Sequence, residues 1–142
     1  MKRSASAVWH GNLKDGKGSI STESGVLSHT QYSFSTRFEK GHGTNPEELV
    51  AAAHAGCFSM ALSAELGKAG ITPDSIQTTA NLTMDRLEAG WTVTAIHLEV
   101  IARIPGVDQV KFEAAANAAK AGCPISRLLN AKITMEARMS DA

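Results

Sequence analysis

Asn45-Pro46-Glu47-Glu48-Leu49-Val50-Ala51-Ala52-Ala53-His54-Ala55-Gly56-Cys57-Phe58-Ser59-Met60 is the stretch on which the fold turns. Asn45 can accept a hydrogen bond from the first free amides of a helix, and Pro46 has the fixed φ favoured at the first helical position. Glu47 and Glu48 complement the positive end of the helix dipole. From Leu49 to Leu62 the residues are apolar on nearly every side, which predicts a helix buried on most of its surface and ending near Gly70. One small half-buried sheet cannot cover such a helix, so an oligomer is expected, with partner elements enclosing it. The helix also carries Cys57, one of the chain's two cysteines.

Strand patterns lie on either side. Ser4 to Trp9 and Gly18 to Ser21 read as short strands joined through Asp15-Gly16, a tight-turn signal. Tyr32, Phe34 and Phe38 alternate with Ser33, Ser35 and Arg37, which predicts a third strand with Arg37 off its apolar face. Glu39 to Thr44, with Gly41 and Gly43, reads as a loop. Ile76, Thr78, Ala80, Leu82 and Met84 keep a period of two. Glu88-Ala89-Gly90 turns the chain into a long strand whose apolar phase switches from odd at Trp91, Val93 and Ala95 to even at Ile96, Leu98 and Val100, predicting a bulge near Ala95. A second helix runs from an Asp108 cap through Phe112 to Gly122, and a short third starts at Pro124 and carries Leu128 and Leu129. Ala131, Ile133, Met135, Ala137 and Met139 make a closing strand. Strands and helices follow one another without repeat or linker, which predicts a single domain over residues 1–142.

Composition excludes several function classes. At 142 residues, with 43% hydrophobic and 20% charged, the chain is long and apolar enough for a core. Fourteen Lys and Arg balance fourteen Asp and Glu, so no general attraction to nucleic acid or an anionic membrane is expected. No stretch reads as long and apolar enough to span a bilayer, and no apolar run follows Met1-Lys2-Arg3 to make a signal peptide. The expected compartment is the cytoplasm, where a transient disulfide is more plausible than a permanent one.

Two cysteines on separate helices point to thiol chemistry, since a thiolate is a strong nucleophile and a second thiol can resolve its oxidised product. Cysteine is also among the most buried residue types, so simple packing is the competing reading. Locally, Cys123 has the better electrostatics: Pro124 places it at a helix N-cap, where free amides favour a thiolate. Cys57 is mid-helix and needs a charged partner from elsewhere. His54 and Cys57 share a helix face and could begin a zinc site, but no paired ligand motif completes one, and no metal site is expected. His54 is expected to be a packed, hydrogen-bonded histidine or a group that supports the site through its neighbours. Arg37 and Glu47 are, by default, a strand-edge charge and a helix-start carboxylate.

Gly43-Thr44-Asn45-Pro46-Glu47-Glu48-Leu49, followed by Ala52-Ala53-His54-Ala55-Gly56-Cys57-Phe58-Ser59-Met60-Ala61-Leu62, closely resembles the OsmC/Ohr family of osmotically inducible and organic hydroperoxide resistance proteins. Lys120-Ala121-Gly122-Cys123-Pro124-Ile125-Ser126 resembles that family's second cysteine motif. Trp9-His10-Gly11-Asn12 through Gly16-Lys17-Gly18, and Ser21 to Leu27, look like its OsmC branch. The resemblance implies an α+β, OsmC-like fold of antiparallel sheets wrapped around long central helices in an intertwined homodimer. It implies a thiol peroxidase acting on organic hydroperoxides, and more weakly on hydrogen peroxide, in oxidative or osmotic stress. The peroxidatic cysteine would be Cys57 and the resolving one Cys123, which reverses the local ranking. Arg37 would stabilise the Cys57 thiolate and Glu47 would orient Arg37. No cofactor is implied; an external dithiol, in the family often a lipoylated protein, would restore the enzyme. The alternative is a stress-related small-ligand-binding or structural protein whose cysteines only pack. Phe34, Leu49, Phe58 and Met60 are candidates to line an apolar approach to the thiols.

Overall fold

The computed structural model describes residues 1–140 and divides into two compact units, Met1–Leu49 and Val50 onward, the division falling in the first turn of the long helix. The first unit holds β1 (Ala5–His10), β2 (Lys17–Thr22) and β3 (Thr30–Tyr32), an antiparallel sheet in that order, and the short helix α1 (Phe34–Phe38). The chain turns at Gly16 and pairs His10 with Lys17. On β2, Gly18 leaves room for its neighbours: a Cβ there would lie 2.4 Å from the Tyr32 ring and 2.7 Å from the Trp9 ring. Those rings therefore meet across the strand with centroids 5.5 Å apart.

The strand expected through Phe34 and Phe38 is instead α1, and Arg37 lies on a helix. A capping box overrides the alternation. Ser33 Oγ accepts from the Thr36 amide, while Thr36 Oγ1 accepts from the Ser33 amide. Three residues later Glu39 leaves the helix in extended conformation.

The helix predicted from Asn45 is α2 (Pro46–Lys68); Asn45 Oδ1 accepts from the Glu48 amide at 2.7 Å. Gly70 ends it at a positive φ of 73°, a left-handed position that suits glycine. Within the chain, however, only His54, Phe58, Leu62 and Leu66 of α2 are buried, a single stripe at four-residue spacing, where burial on most sides was expected. Ala52, Gly56, Met60 and Ala64, two residues out of phase, are exposed on the opposite face. At 23 residues α2 is also long and apolar enough to cross a membrane by length and composition, contrary to the expectation that no stretch would be. Its alanines raise hydropathy without bulk, and its buried stripe belongs to the core described next.

In the second unit β4 (Ser75–Leu87), β5 (Gly90–Arg103) and β6 (Lys132–Met139) form a sheet in that order. The bulge falls where expected: Thr83 faces Ala95 but Met84 faces Val93, leaving Thr94 as the extra residue. The sheet is mixed and not antiparallel throughout, because β6 runs parallel to β5. The connection explains this. It carries α3 (Gln109–Gly122) and α4 (Pro124–Leu128), and a helical crossover of that length returns the chain to the same end of the sheet. Asp108 caps α3 by accepting from the Lys111 amide. The core joins the buried stripe of α2 to Ile96, Leu98, Val100 and Ala102 of β5 and to Phe112, Ala116 and Ala119 of α3.

Candidate active site: a thiol pair and an arginine–glutamate pair

Helix geometry brings Cys57 to Cys123. Cys57 sits on α2 one turn after His54. Cys123 closes α3 with its amide donating to the Ala119 carbonyl, and it is at the same time the N-cap of α4, with Pro124 at the first position. The two sulfurs share an S–H···S hydrogen bond at 2.8 Å, longer than the ~2.05 Å of a disulfide. Both cysteines are free thiols; Cys123 is buried and Cys57 half-buried. The more accessible of the two is thus the mid-helix one.

The start of α4 serves Cys57. Its thiol accepts a hydrogen bond from the Ile125 amide, which favours the thiolate. The Cys123 side chain makes no cap hydrogen bond. The local expectation that free amides would activate Cys123 is therefore corrected: the tight turn at Pro124 aims an amide across at the facing helix. Burial first, and then the bond to Cys123, nevertheless push the Cys57 thiol up from its ordinary value. Among the described residues, no cation figures among the causes of that shift.

The first unit holds an arginine–glutamate pair. Arg37 Nε donates to Glu47 Oε1 at 2.5 Å, and the guanidinium lies 5.3 Å from the centre of the Phe38 ring. The capping box of α1 sets the arginine, and Asn45 sets the glutamate by donating to the Thr36 carbonyl as well as capping α2. With Arg37 exposed, such a pair contributes only about 0–1 kcal/mol to stability. Its consequence is orientation, since one carboxylate contact on Nε leaves the terminal nitrogens of the guanidinium for another anion.

Beside Arg37, an open groove of about 250 Å³ is lined by Trp9, Leu13, Tyr32, Ser33, Phe34 and Phe38. Phe34 therefore lines a groove within the first unit. Phe58 is not available to line an approach, being fully buried in the core, and Met60 is 77% exposed. The aromatic contributions of Trp9 and Tyr32 were missed by sequence reading, because both rings reach Gly18 from the neighbouring strands while its chain neighbours are Lys17 and Ser19. His54 is buried and hydrogen-bonded, as expected; its partner is Ser126, at 2.7 Å. Among the described residues, no group of three or more His, Cys, Asp or Glu is placed to hold a metal.

Two free thiols in contact between helices of an α+β fold make a candidate dithiol site. The comparisons agree with that class. Residues 39–138 match the family model described as OsmC-like protein, a span that includes Glu47, Cys57 and Cys123 and stops two residues short of Arg37. The chain is 52% identical over 136 residues to peroxiredoxin OsmC of Escherichia coli, covering 96% of this chain and 95% of that one. It is 29% identical over 120 residues to organic hydroperoxide resistance protein OhrB of Bacillus subtilis, covering 84% and 86%. The crystal structure of OhrB superposes with a TM-score of 0.70 at 25% identity, over 95% of this chain and 98% of that one. The chain belongs to the OsmC-like family.

Proposed function

We propose that this protein is a cysteine-based peroxidase that reduces organic hydroperoxides to alcohols. The contact of Cys57 with Cys123 at 2.8 Å carries the reading, because it is the geometry a resolving thiol needs. In the proposed cycle the Cys57 thiolate attacks the outer peroxide oxygen. The O–O bond breaks, the alkoxide leaves and takes a proton to become the alcohol, and Cys57 becomes a sulfenic acid. Cys123 then attacks that sulfur, water leaves, and a Cys57–Cys123 disulfide forms. An external dithiol, with a lipoylated protein as one candidate class, returns both thiols by exchange. In this reading Arg37 supplies the charge that Cys57 lacks, stabilising first its thiolate and then the departing alkoxide, while Glu47 holds the guanidinium in place. The chain works as one domain over residues 1–142, as a homodimer in the cytoplasm, and it draws on no metal or organic cofactor.

Thiol titration tests the reading. Addition of cumene hydroperoxide should remove two thiols per chain, and a dithiol should restore them. Unchanged thiols would favour a small-ligand-binding protein with packed cysteines.

The aromatic groove beside Arg37 supports a preference for bulky substrates. Each substrate methylene buried there contributes on the order of 0.8 kcal/mol, which hydrogen peroxide cannot gain. The second-order rate of the oxidation step should therefore rise from hydrogen peroxide to tert-butyl and then cumene hydroperoxide. A flat or inverted order, with the reductant saturating, would show that apolar contacts do not select the substrate.

A further inference from the structure

We propose that His54 is a positioning residue for the cysteine pair: its buried hydrogen bond to Ser126 holds α2 and α4 in the register at which Cys123 and the Ile125 amide meet the Cys57 sulfur. The proposal takes its purpose from the dithiol chemistry above, though its test does not depend on a peroxide.

Two contacts join the cysteine-bearing segments like rungs. His54 and Cys57 are three residues apart on α2 and so share a face. Cys123 and Ser126 are also three residues apart, at the cap and in the first turn of α4. One rung is His54 Nε2 to Ser126 Oγ at 2.7 Å; the other is Cys123 to Cys57 at 2.8 Å. The sulfur rung must change during turnover, from a thiol contact to a bond and back. The imidazole–hydroxyl rung has no redox chemistry and can persist through both states.

The element it secures needs securing. α4 has only five residues, too few to be stable alone, and its cap residue contributes no side-chain hydrogen bond. Its place decides whether the Ile125 amide reaches Cys57 at all. The His54 side chain is fully buried and Ser126 is nearly so, so water does not compete for their bond and losing either partner leaves a polar group stranded. His54 Nδ1 is also buried and has no partner, so a second proton there would create an unpaired buried charge. Burial accordingly pushes the His54 pKa down, and the ring stays neutral and does not titrate with the thiols.

A histidine that merely fills space predicts lost stability with unchanged thiol chemistry. Three variants separate the two roles. Ser126→Ala and His54→Leu remove the rung, while His54→Gln keeps a side-chain amide, able to donate or to accept, at the reach of Nε2. Two readouts apply. One is the pH midpoint for alkylation of Cys57 by iodoacetamide, followed on its peptide by mass spectrometry. The other is ring closure with oxidised glutathione. In that reaction the Cys57 thiolate displaces one glutathione thiolate, and Cys123 then attacks the Cys57 sulfur and displaces the second. Loss of the rung should slow closure by about tenfold or more, as expected when a paired geometry is loosened, and should raise the midpoint. His54→Gln should recover most of both. Because neither readout uses peroxide, a protein without peroxidase activity would still give them. Closure and midpoint both unchanged in folded Ser126→Ala would overturn the proposal, and so would His54→Gln behaving like His54→Leu. If His54→Leu does not fold, Ser126→Ala against wild type decides alone.

Discussion

Cys57 and Cys123 illustrate how little a residue's immediate sequence says about its chemistry. Pro124 made Cys123 the N-cap, yet the amide two residues on is spent on Cys57. The partial exposure of Cys57 and burial of Cys123 fit the proposed roles, in which the nucleophile meets substrate and the resolving thiol waits in the interior. Cys57→Ser should therefore abolish turnover, whereas Cys123→Ser should still consume one peroxide equivalent and stop. Mass spectrometry after one equivalent should find the sulfenic acid on Cys57 in the latter variant; turnover retained by Cys57→Ser, with oxidation at Cys123, would reverse the roles. Arg37 can be tested through the same sulfur. Burial holds the Cys57 proton on, so a cation must act against it. In Arg37→Met the pH midpoint of Cys57 alkylation should rise and peroxide oxidation at neutral pH should slow, since fewer chains carry the thiolate. The loss in stability should be about 1 kcal/mol or less, as for an exposed pair. An unmoved midpoint would return Arg37 to the status of a solvated charge.

At the scale of elements, α1 is the clearest case of local chemistry overriding periodicity. Ser33 and Thr36 trade side-chain and backbone hydrogen bonds, and that exchange turns an alternating stretch into a helix. Replacing Ser33 by Ala should cost about 0.5–2 kcal/mol, measured by denaturant unfolding. It should also slow peroxide reduction by loosening the helix that carries Arg37; destabilisation without kinetic change would mean that α1 does not set the arginine. The sequence contained the Ser-x-x-Thr signal, but Phe34 and Phe38 dominated the reading because they fit a strand and a one-turn helix equally well. The elements read correctly had redundant signals. α2 had a cap, a first-turn proline and two acidic residues; β5 showed its bulge as a phase switch. What stayed hidden depends on contacts distant in the chain. Nothing near Lys132 discloses that β6 runs parallel to β5, and nothing near His54 names a serine 72 residues away. The positions of both cysteines, of Arg37 and of Glu47 were legible, but the roles proposed for them rest on resemblance and not on spacing.

At the scale of the whole molecule, α2 poses the remaining physical problem. One stripe, His54, Phe58, Leu62 and Leu66, is absorbed by the chain's own core. The opposite stripe, Ala52, Gly56, Met60 and Ala64, is just as regular and exposed, and Met60 is 77% accessible. An apolar ridge of small residues around one large one is poorly suited to water and well suited to close helix packing, since glycine and alanine let another backbone approach. A second copy would cover it with an identical ridge, as in a two-fold dimer. Burying each Met60 side chain there would contribute about 1.5–3 kcal/mol, and the surrounding alanines less apiece. Sedimentation at micromolar concentration should accordingly give twice the 15.0 kDa chain mass. Met60→Glu would place like charges against each other on an apolar face, and it should shift the protein to monomer with loss of peroxide reduction. A wild-type monomer that stays folded and active on dilution would leave the ridge without a partner of its own kind. A Met60→Glu chain that remains a fully active dimer would mean that two copies meet through some other surface.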